Sequence, residues 1–211
     1  MDELIGVYSS IKDKIEQKYD LFQELWENGS DEELFAEMIF CVCTPQSSAK
    51  AGWKAASKIF NDNLFDADEY VLQDVLGSSG VRFKKNKVKY IIHNRAHFWP
   101  GTKERLSHIL VNDPFSARES FVKNVKGWGY KEASHFMRNI GFGDKLCILD
   151  RHILRCLKEF EVIDSIPNSI DRATYLQIEQ EMKHFAKEID IPLFALDFVF
   201  WAREHNGEIF K

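Results

Sequence analysis

The residues whose types and spacing invite chemistry fall in one stretch of this 211-residue chain, VKGWGYKEASHFMRNIGFGDKLCILDRHI, residues 125–153. Gly127 and Gly129 clear side chains from a tight turn, and Lys131 follows at the start of a new apolar period. Glycines there allow positive φ and close backbone approach, and a helix N-terminus with its free N–H groups is a seat for a phosphate. A lysine is an odd choice at that end of a helix, because the dipole disfavours a cation. The chemistry that would justify it is nucleophilic, an amine attacking carbon. Asp150 stands directly before RHILRCLKEF, where it can cap a helix or supply a carboxylate to the same cleft. A second stretch, VRFKKNKVKYIIHNRAHFW, carries Arg82, Lys84, Lys85, Lys87, Lys89 and Arg95 with no acidic residue between them, led by the aromatic Phe83. It reads as a phosphate-tracking surface or as a solvated helix face.

These residues must be positioned by helices. Apolar residues recur at spacings of three and four, broken by short Gly, Pro, Asn and Asp clusters, so the chain is predicted to be all-α. Helices are expected near 2–18, 31–44, 47–60, 67–76, 84–98, 103–112, 114–126, 131–140, 151–160, 171–189 and 192–205. Ser30 with Glu33 forms a capping box for the second, whose FAEMIFCVC is apolar nearly all round and belongs at the centre of the fold. Pro114 opens the helix before the glycine turn, which makes a helix-hairpin-helix of about 114–140. Asn168 or Ser169 is the expected cap for the helix near 171. One unit over 1–211 is expected, with no separate linker domain.

Composition limits the function classes. A hydrophobic fraction of 45% supports a real core, and 28 basic against 33 acidic side chains, net −5, exclude a surface that is polyanion-binding throughout. No leader and no run of about 18 apolar residues is evident, so the expected location is cytoplasmic, away from membranes. Cys41, Cys43, Cys147 and Cys156 lack paired metal-ligand spacing and read as buried small hydrophobes; neither a metal nor an organic cofactor is expected.

With Val125, Lys126, Gly127, Trp128, Gly129, Tyr130 and Lys131 followed by Asp150 nineteen positions on, the sequence resembles the helix-hairpin-helix DNA glycosylases with a Gly-rich GPD motif. Their hairpin reads L-P-G-V-G-x-K; Lys126 stands where proline is usual, and Gly141, Phe142 and Gly143 represent the Gly/Pro loop. FCVCTPQSSAKA resembles the family's helix–loop–helix entry. The lack of a C-terminal four-cysteine cluster sets the chain apart from the endonuclease III branch. Its size, the tail LDFVFWAREHNGEIFK and the final lysine resemble the archaeal-type 8-oxoguanine enzymes, the second Ogg subfamily. The resemblance implies two helical subdomains flanking a cleft, with Lys131 as Schiff-base nucleophile and Asp150 as its supporting carboxylate. It also implies Gln46 and Phe83 as wedges, phosphate contacts from Lys84, Lys85, Lys87, Gly127, Gly129 and His152, and base recognition by Trp201 and Lys211, with Phe198 beside Trp201 as a further stacking surface. The partner would be double-stranded DNA bearing 8-oxoguanine or abasic sites, bound by a monomer associated with the nucleoid of a prokaryote. A non-catalytic helix-hairpin-helix module, or a glycosylase for another damaged base, remains the alternative.

Overall fold

A computed structural model describes residues 1–209; Lys211 of the base-recognition expectation lies outside them. Among the described residues there are eleven α-helices and no strand: α1 (Asp2–Asn28), α2 (Asp31–Cys43), α3 (Ala49–Asn61), α4 (Glu69–Ser78), α5 (Lys84–Phe98), α6 (Thr102–Leu110), α7 (Pro114–Asn124), α8 (Tyr130–Asn139), α9 (Arg151–Glu159), α10 (Arg172–Glu188) and α11 (Leu193–Glu204). The all-α expectation and the order of its helices hold. The first helix, however, runs ten residues beyond the expected end at 18. Its stripe Leu4, Ile11, Ile15 and Phe22 enters one core, while Leu25 and Trp26 lie against another, so tertiary burial carries the helix on.

There are two apolar cores. One is built by α2 to α8 around α2, in which every residue from Leu34 to Cys43 is buried. The other is built by α1, α9, α10 and α11, with α1 packed along α11. The Ser30 and Glu33 capping box forms as expected, with the Glu33 N–H donating to Ser30 Oγ at 3.2 Å and the Ser30 N–H to Glu33 Oε2 at 2.9 Å. The cap of α10 is Asp171 rather than Asn168 or Ser169: its carboxylate accepts the Thr174 N–H at 2.8 Å. The sequence DSIPNSID offered several polar cap candidates, and the one that wins is the residue directly ahead of the helical turn.

A buried polar network joins the two cores. Arg118 of α7 meets Glu179 of α10 through two parallel hydrogen bonds of 2.6 and 2.9 Å, and its guanidinium also donates to Ser134 Oγ of α8 at 3.1 Å. Glu179 Oε1 accepts the Cys147 N–H at 2.9 Å, and the Tyr175 hydroxyl donates to the Cys147 carbonyl at 2.7 Å. Within the non-helical stretch 146–149, Cys147 thus has both backbone groups and Leu149 its N–H held by side chains of α10, which delivers Asp150 to a defined place.

Candidate active site

A cleft of about 720 Å³ opens between the two cores. Its walls include Thr44, Gln46, Arg82, Lys131 and His135 from one side and Asp150, His152, Asp197 and Trp201 from the other. Lys131 and Asp150 therefore line one cleft, reached from opposite subdomains.

The hairpin sets the lysine. Asp113 caps α7 by accepting the Phe115 and Ser116 N–H groups, and Pro114 occupies the first turn. After α7 ends, Asn94 of α5 grips the turn by its backbone, donating to the Lys126 carbonyl at 3.0 Å and accepting the Lys126 N–H at 2.8 Å. Gly127 takes φ +87°, and a Cβ there would lie 2.4 Å from the Tyr90 ring, so both backbone and space demand glycine. Gly129 departs from the expectation of positive φ: it is extended, with φ −104° and ψ −167°, and its N–H donates to Glu132 Oε2 at 3.1 Å. Glu132 thus supplies the reciprocal half of a capping box, and its other oxygen lies 3.7 Å from Lys131 Nζ. Lys131 Nζ donates to Thr44 Oγ1 at 3.1 Å, and the Thr44 hydroxyl in turn donates to the Cys41 carbonyl at 3.0 Å.

Asp150 is the N-cap of α9, its Oδ1 accepting the Ile153 N–H at 2.8 Å. His152 lies in the first turn of the same helix, 3.2 Å by Nδ1 from Glu204 Oε2 and edge-on to Trp201 at 5.8 Å between ring centroids. Trp201 stacks on His205 at 3.9 Å and 5°, which covers one face of the indole. Phe198, expected to extend that stacking surface, is only 1% exposed; the Arg138 guanidinium lies over its ring at 4.4 Å. Arg138 also pairs with Asp197. Burial pushes the Asp197 carboxyl up, with Arg138 opposing and the Asp150 charge adding to the rise.

The basic run on α5 divides. Lys84, Lys85 and Lys89 are exposed, and Lys84 folds back over Gly77 at the end of α4. Lys87 is 4% exposed, and its ammonium donates to the carbonyls of Cys43 and Pro45, each at 2.7 Å, and to Ser47 Oγ at 3.0 Å. An ammonium has three protons, and all three are engaged here, so the expected phosphate contact by Lys87 is corrected. Burial pushes its pKa down, with the Lys131 charge adding to that direction and Cys43 and Glu132 opposing. Arg95 also turns inward, to the carbonyls of Phe65 and Ala67. Gln46 is exposed on the loop between α2 and α3, and Phe83 is 53% exposed at the start of α5, with the Arg82 guanidinium 5.3 Å over its ring.

The four cysteines are buried, and burial pushes the Cys43 and Cys156 thiols up to about 12. Among the described residues, the side chains that converge most like metal ligands are His152, Cys156 and Glu204, whose ligand atoms lie within 4.8 Å of one another. Bonds of 2.0–2.3 Å to a tetrahedral ion would hold its ligands about 3.3–3.8 Å apart, tighter than this set. The Cys156 sulfur at 3.9 Å from His152 Nε2 and 4.0 Å from Glu204 Oε1 fits a hydrogen-bonded group that orients the imidazole.

This arrangement places an amine, a carboxylate and an indole around a cavity large enough for a nucleobase. A family model described as 8-oxoguanine DNA glycosylase, Ogg-HhH, matches residues 15–191. The chain belongs to this family. The 8-oxoguanine DNA glycosylase/AP lyase of Fusobacterium nucleatum is 37% identical, with 100% of this chain and 97% of that protein covered. The protein of the same name from Methanocaldococcus jannaschii is 36% identical over 96% of this chain and 94% of its own. The crystal structure of the Thermotoga maritima 8-oxoguanine DNA glycosylase superposes with a TM-score of 0.88 at 32% identity, covering 100% of this chain and 97% of that one. The Methanocaldococcus jannaschii 8-oxoguanine glycosylase/lyase in complex with a 15mer DNA containing 8-oxoguanine gives 0.87 at 33% identity, covering 100% and 98%.

Three features of this glycosylase escaped sequence reasoning. Thr44 as the hydrogen-bond partner of Lys131 and the inward turn of Lys87 depend on partners 40 or more residues away, and Glu132 as the acceptor of the Gly129 N–H depends on the local turn. Only Glu132, three residues after Gly129, left a sequence signal, the acidic half of a capping box.

Proposed function

We propose that the protein is a bifunctional base-excision repair enzyme that flips 8-oxoguanine out of duplex DNA, excises it and cleaves the resulting abasic strand by β-elimination. The observation that carries this reading is the shared cleft of Lys131 and Asp150 in a chain of the 8-oxoguanine DNA glycosylase family.

A base within the stack cannot reach the cleft, so the nucleotide is extruded at a cost of a few kcal/mol, offset by phosphate contacts and by wedges filling the gap. Gln46 and Phe83 are the wedges; Lys84, Lys85, the hairpin at Gly127 and Gly129, and His152 hold phosphates. Trp201 offers the base the indole face that His205 leaves free. Lys211 takes part in base recognition. The lone pair of Lys131 Nζ forms the bond to C1′ as the C1′–N9 bond breaks, and the base leaves with the electron pair and takes up a proton. Thr44 fixes the direction of the amine before attack. The Asp150 carboxylate stabilises the positive charge that develops on the sugar. Ring opening gives an imine; loss of a C2′ proton expels the 3′ phosphate, and water then hydrolyses the imine and frees Lys131. The enzyme works as a monomer on duplexes carrying 8-oxoguanine or an abasic site, in the nucleoid. No described helix is long and apolar enough to cross a membrane.

Borohydride reduction during reaction with an 8-oxoguanine duplex tests the assignment. A covalent protein–DNA adduct forms with the native chain and disappears in Lys131→Gln, while that variant keeps lesion-duplex binding within about tenfold, since phosphate contacts survive. Strand cleavage retained by Lys131→Gln removes the lysine from the mechanism. Binding without adduct or cleavage by the native chain, on any lesion, leaves a DNA-binding module.

A further inference from the structure

Gln46 and Phe83 lie on separate loops, yet both are non-glycine residues in the left-handed backbone region, with φ +55° and +56°. Such a conformation persists where the surroundings over-determine it. The surroundings here are one side-chain cluster. Ser47, next to Gln46, accepts the N–H of Arg82, the residue before Phe83, at 3.0 Å, and the same Oγ accepts a Lys87 ammonium proton at 3.0 Å. A hydroxyl has two lone pairs, and this one spends both on joining the two loops. The other two protons of Lys87 go to the carbonyls of Cys43 and Pro45, on the chain leading into Gln46. The Ser47 N–H closes the turn onto the Thr44 carbonyl at 3.0 Å, and Thr44 Oγ1 is the acceptor of Lys131 Nζ.

We infer that Lys87 and Ser47 are positioning residues for base extrusion: together they clamp the Gln46 and Phe83 loops into one preset wedge. The inference rests on the assignment of Gln46 and Phe83 as wedges and adds the device that sets them. It also explains why a lysine in the middle of a DNA-facing basic run is turned inward. A flexible pair of loops would have to be ordered as the base leaves the stack, whereas a preset pair meets the duplex in place. The three donors of Lys87 end on Cys43, Pro45 and Ser47 and not on Lys131 or Asp150, so its effect falls on extrusion rather than on bond cleavage.

The test compares excision of 8-oxoguanine from a paired duplex with excision from an unpaired bubble, where unstacking is already largely accomplished. Ser47→Ala removes the acceptor of two hydrogen bonds and slows the duplex reaction about tenfold or more, leaving the bubble reaction within about twofold. Lys87→Met slows the duplex reaction about a hundredfold, as a displaced positioning group does, with the same spared bubble reaction. Ser47→Thr, which keeps the hydroxyl, restores the duplex rate. The salt dependence of duplex binding is unchanged in all three, because no phosphate contact is lost. Equal loss on duplex and bubble overturns the clamp and makes the cluster a support of the fold or of Lys131; no loss on either also overturns it, and a flatter salt slope returns Lys87 to the phosphates. Ser47→Ala, a small truncation at a half-buried site, decides the matter if Lys87→Met does not fold. Gln46→Ala and Phe83→Ala run alongside: duplex-selective loss in these but not in the cluster variants defeats the clamp alone, and its absence in them defeats the wedge assignment and the clamp together.

Discussion

At the scale of single residues, Asp150 shows how one side chain serves two ends. Its Oδ1 caps α9, and its place in the cleft wall puts the carboxylate on the cavity that Lys131 also lines. The two roles separate by substitution, because asparagine keeps a cap acceptor and loses the charge. Asp150→Asn is therefore expected to stay within about 1 kcal/mol of native stability by thermal unfolding, while single-turnover excision falls by about 10²–10⁴. A near-native rate would leave Asp150 a helix cap and nothing more. Lys87 carries the opposite lesson. Its residue type and charged neighbours point to a phosphate, and its sequence is indistinguishable in kind from Lys84 and Lys85, which are exposed. What separates them is the register of α5 against the loop after α2, which turns one lysine of the run into the interior.

At the scale of elements, the hairpin between α7 and α8 was legible because its constraints are local: a proline opens α7, a glycine pair breaks the chain, and Asp113 and Glu132 complete the caps. The glycines are nonetheless unequal. Gly127→Ala forces a Cβ into Tyr90 at a backbone state that alanine resists, and the strain falls on the turn that Asn94 holds. Gly129→Ala meets only the carboxylate end of the Glu132 side chain, at 3.4 Å, in an ordinary extended conformation. Gly127→Ala is thus expected to unfold several degrees below native and to lose lesion-duplex affinity in a binding titration, and Gly129→Ala to remain close to native in both. Equal effects at the two positions would show that backbone access for a phosphate, shared by both, governs the hairpin. Helix α1 is the element the sequence read worst. Its apolar spacing of three and four continues through Ile15, Tyr19, Phe22, Leu25 and Trp26, but the stripe changes core on the way, with Leu25 and Trp26 meeting the one around α2, and that change is not legible in the spacing.

At the scale of the whole molecule, two cores of unequal size share a cleft, and the Arg118–Glu179 pair ties them beneath it. Arg118→Met leaves the buried Glu179 carboxylate with Lys183, at 3.3 Å, as its remaining cation, which offsets part of the about 3–5 kcal/mol that breaking a buried pair costs, so the loss in denaturant unfolding is expected at or below the lower end of that range. It should also slow excision, because the 146–149 stretch that delivers Asp150 loses part of its anchor. A stable variant with a normal rate would mean that Glu179 and Tyr175 hold that stretch without Arg118. The amino-acid order by itself determined the helical class, most element positions and the hairpin, because periodicity, caps and glycine turns act over a few residues and leave their marks in sequence; Lys131 and Asp150 became the pair to watch through the resemblance of their motif and spacing. The tertiary structure alone decided that these two residues line one cleft, that Thr44 receives the lysine, that Phe198 is core beneath Arg138, and that Lys87 faces inward. Each of those facts is a contact between side chains far apart in the chain, chosen by how whole helices pack and by which buried polar groups must find partners, and neither condition can be read from neighbours in sequence.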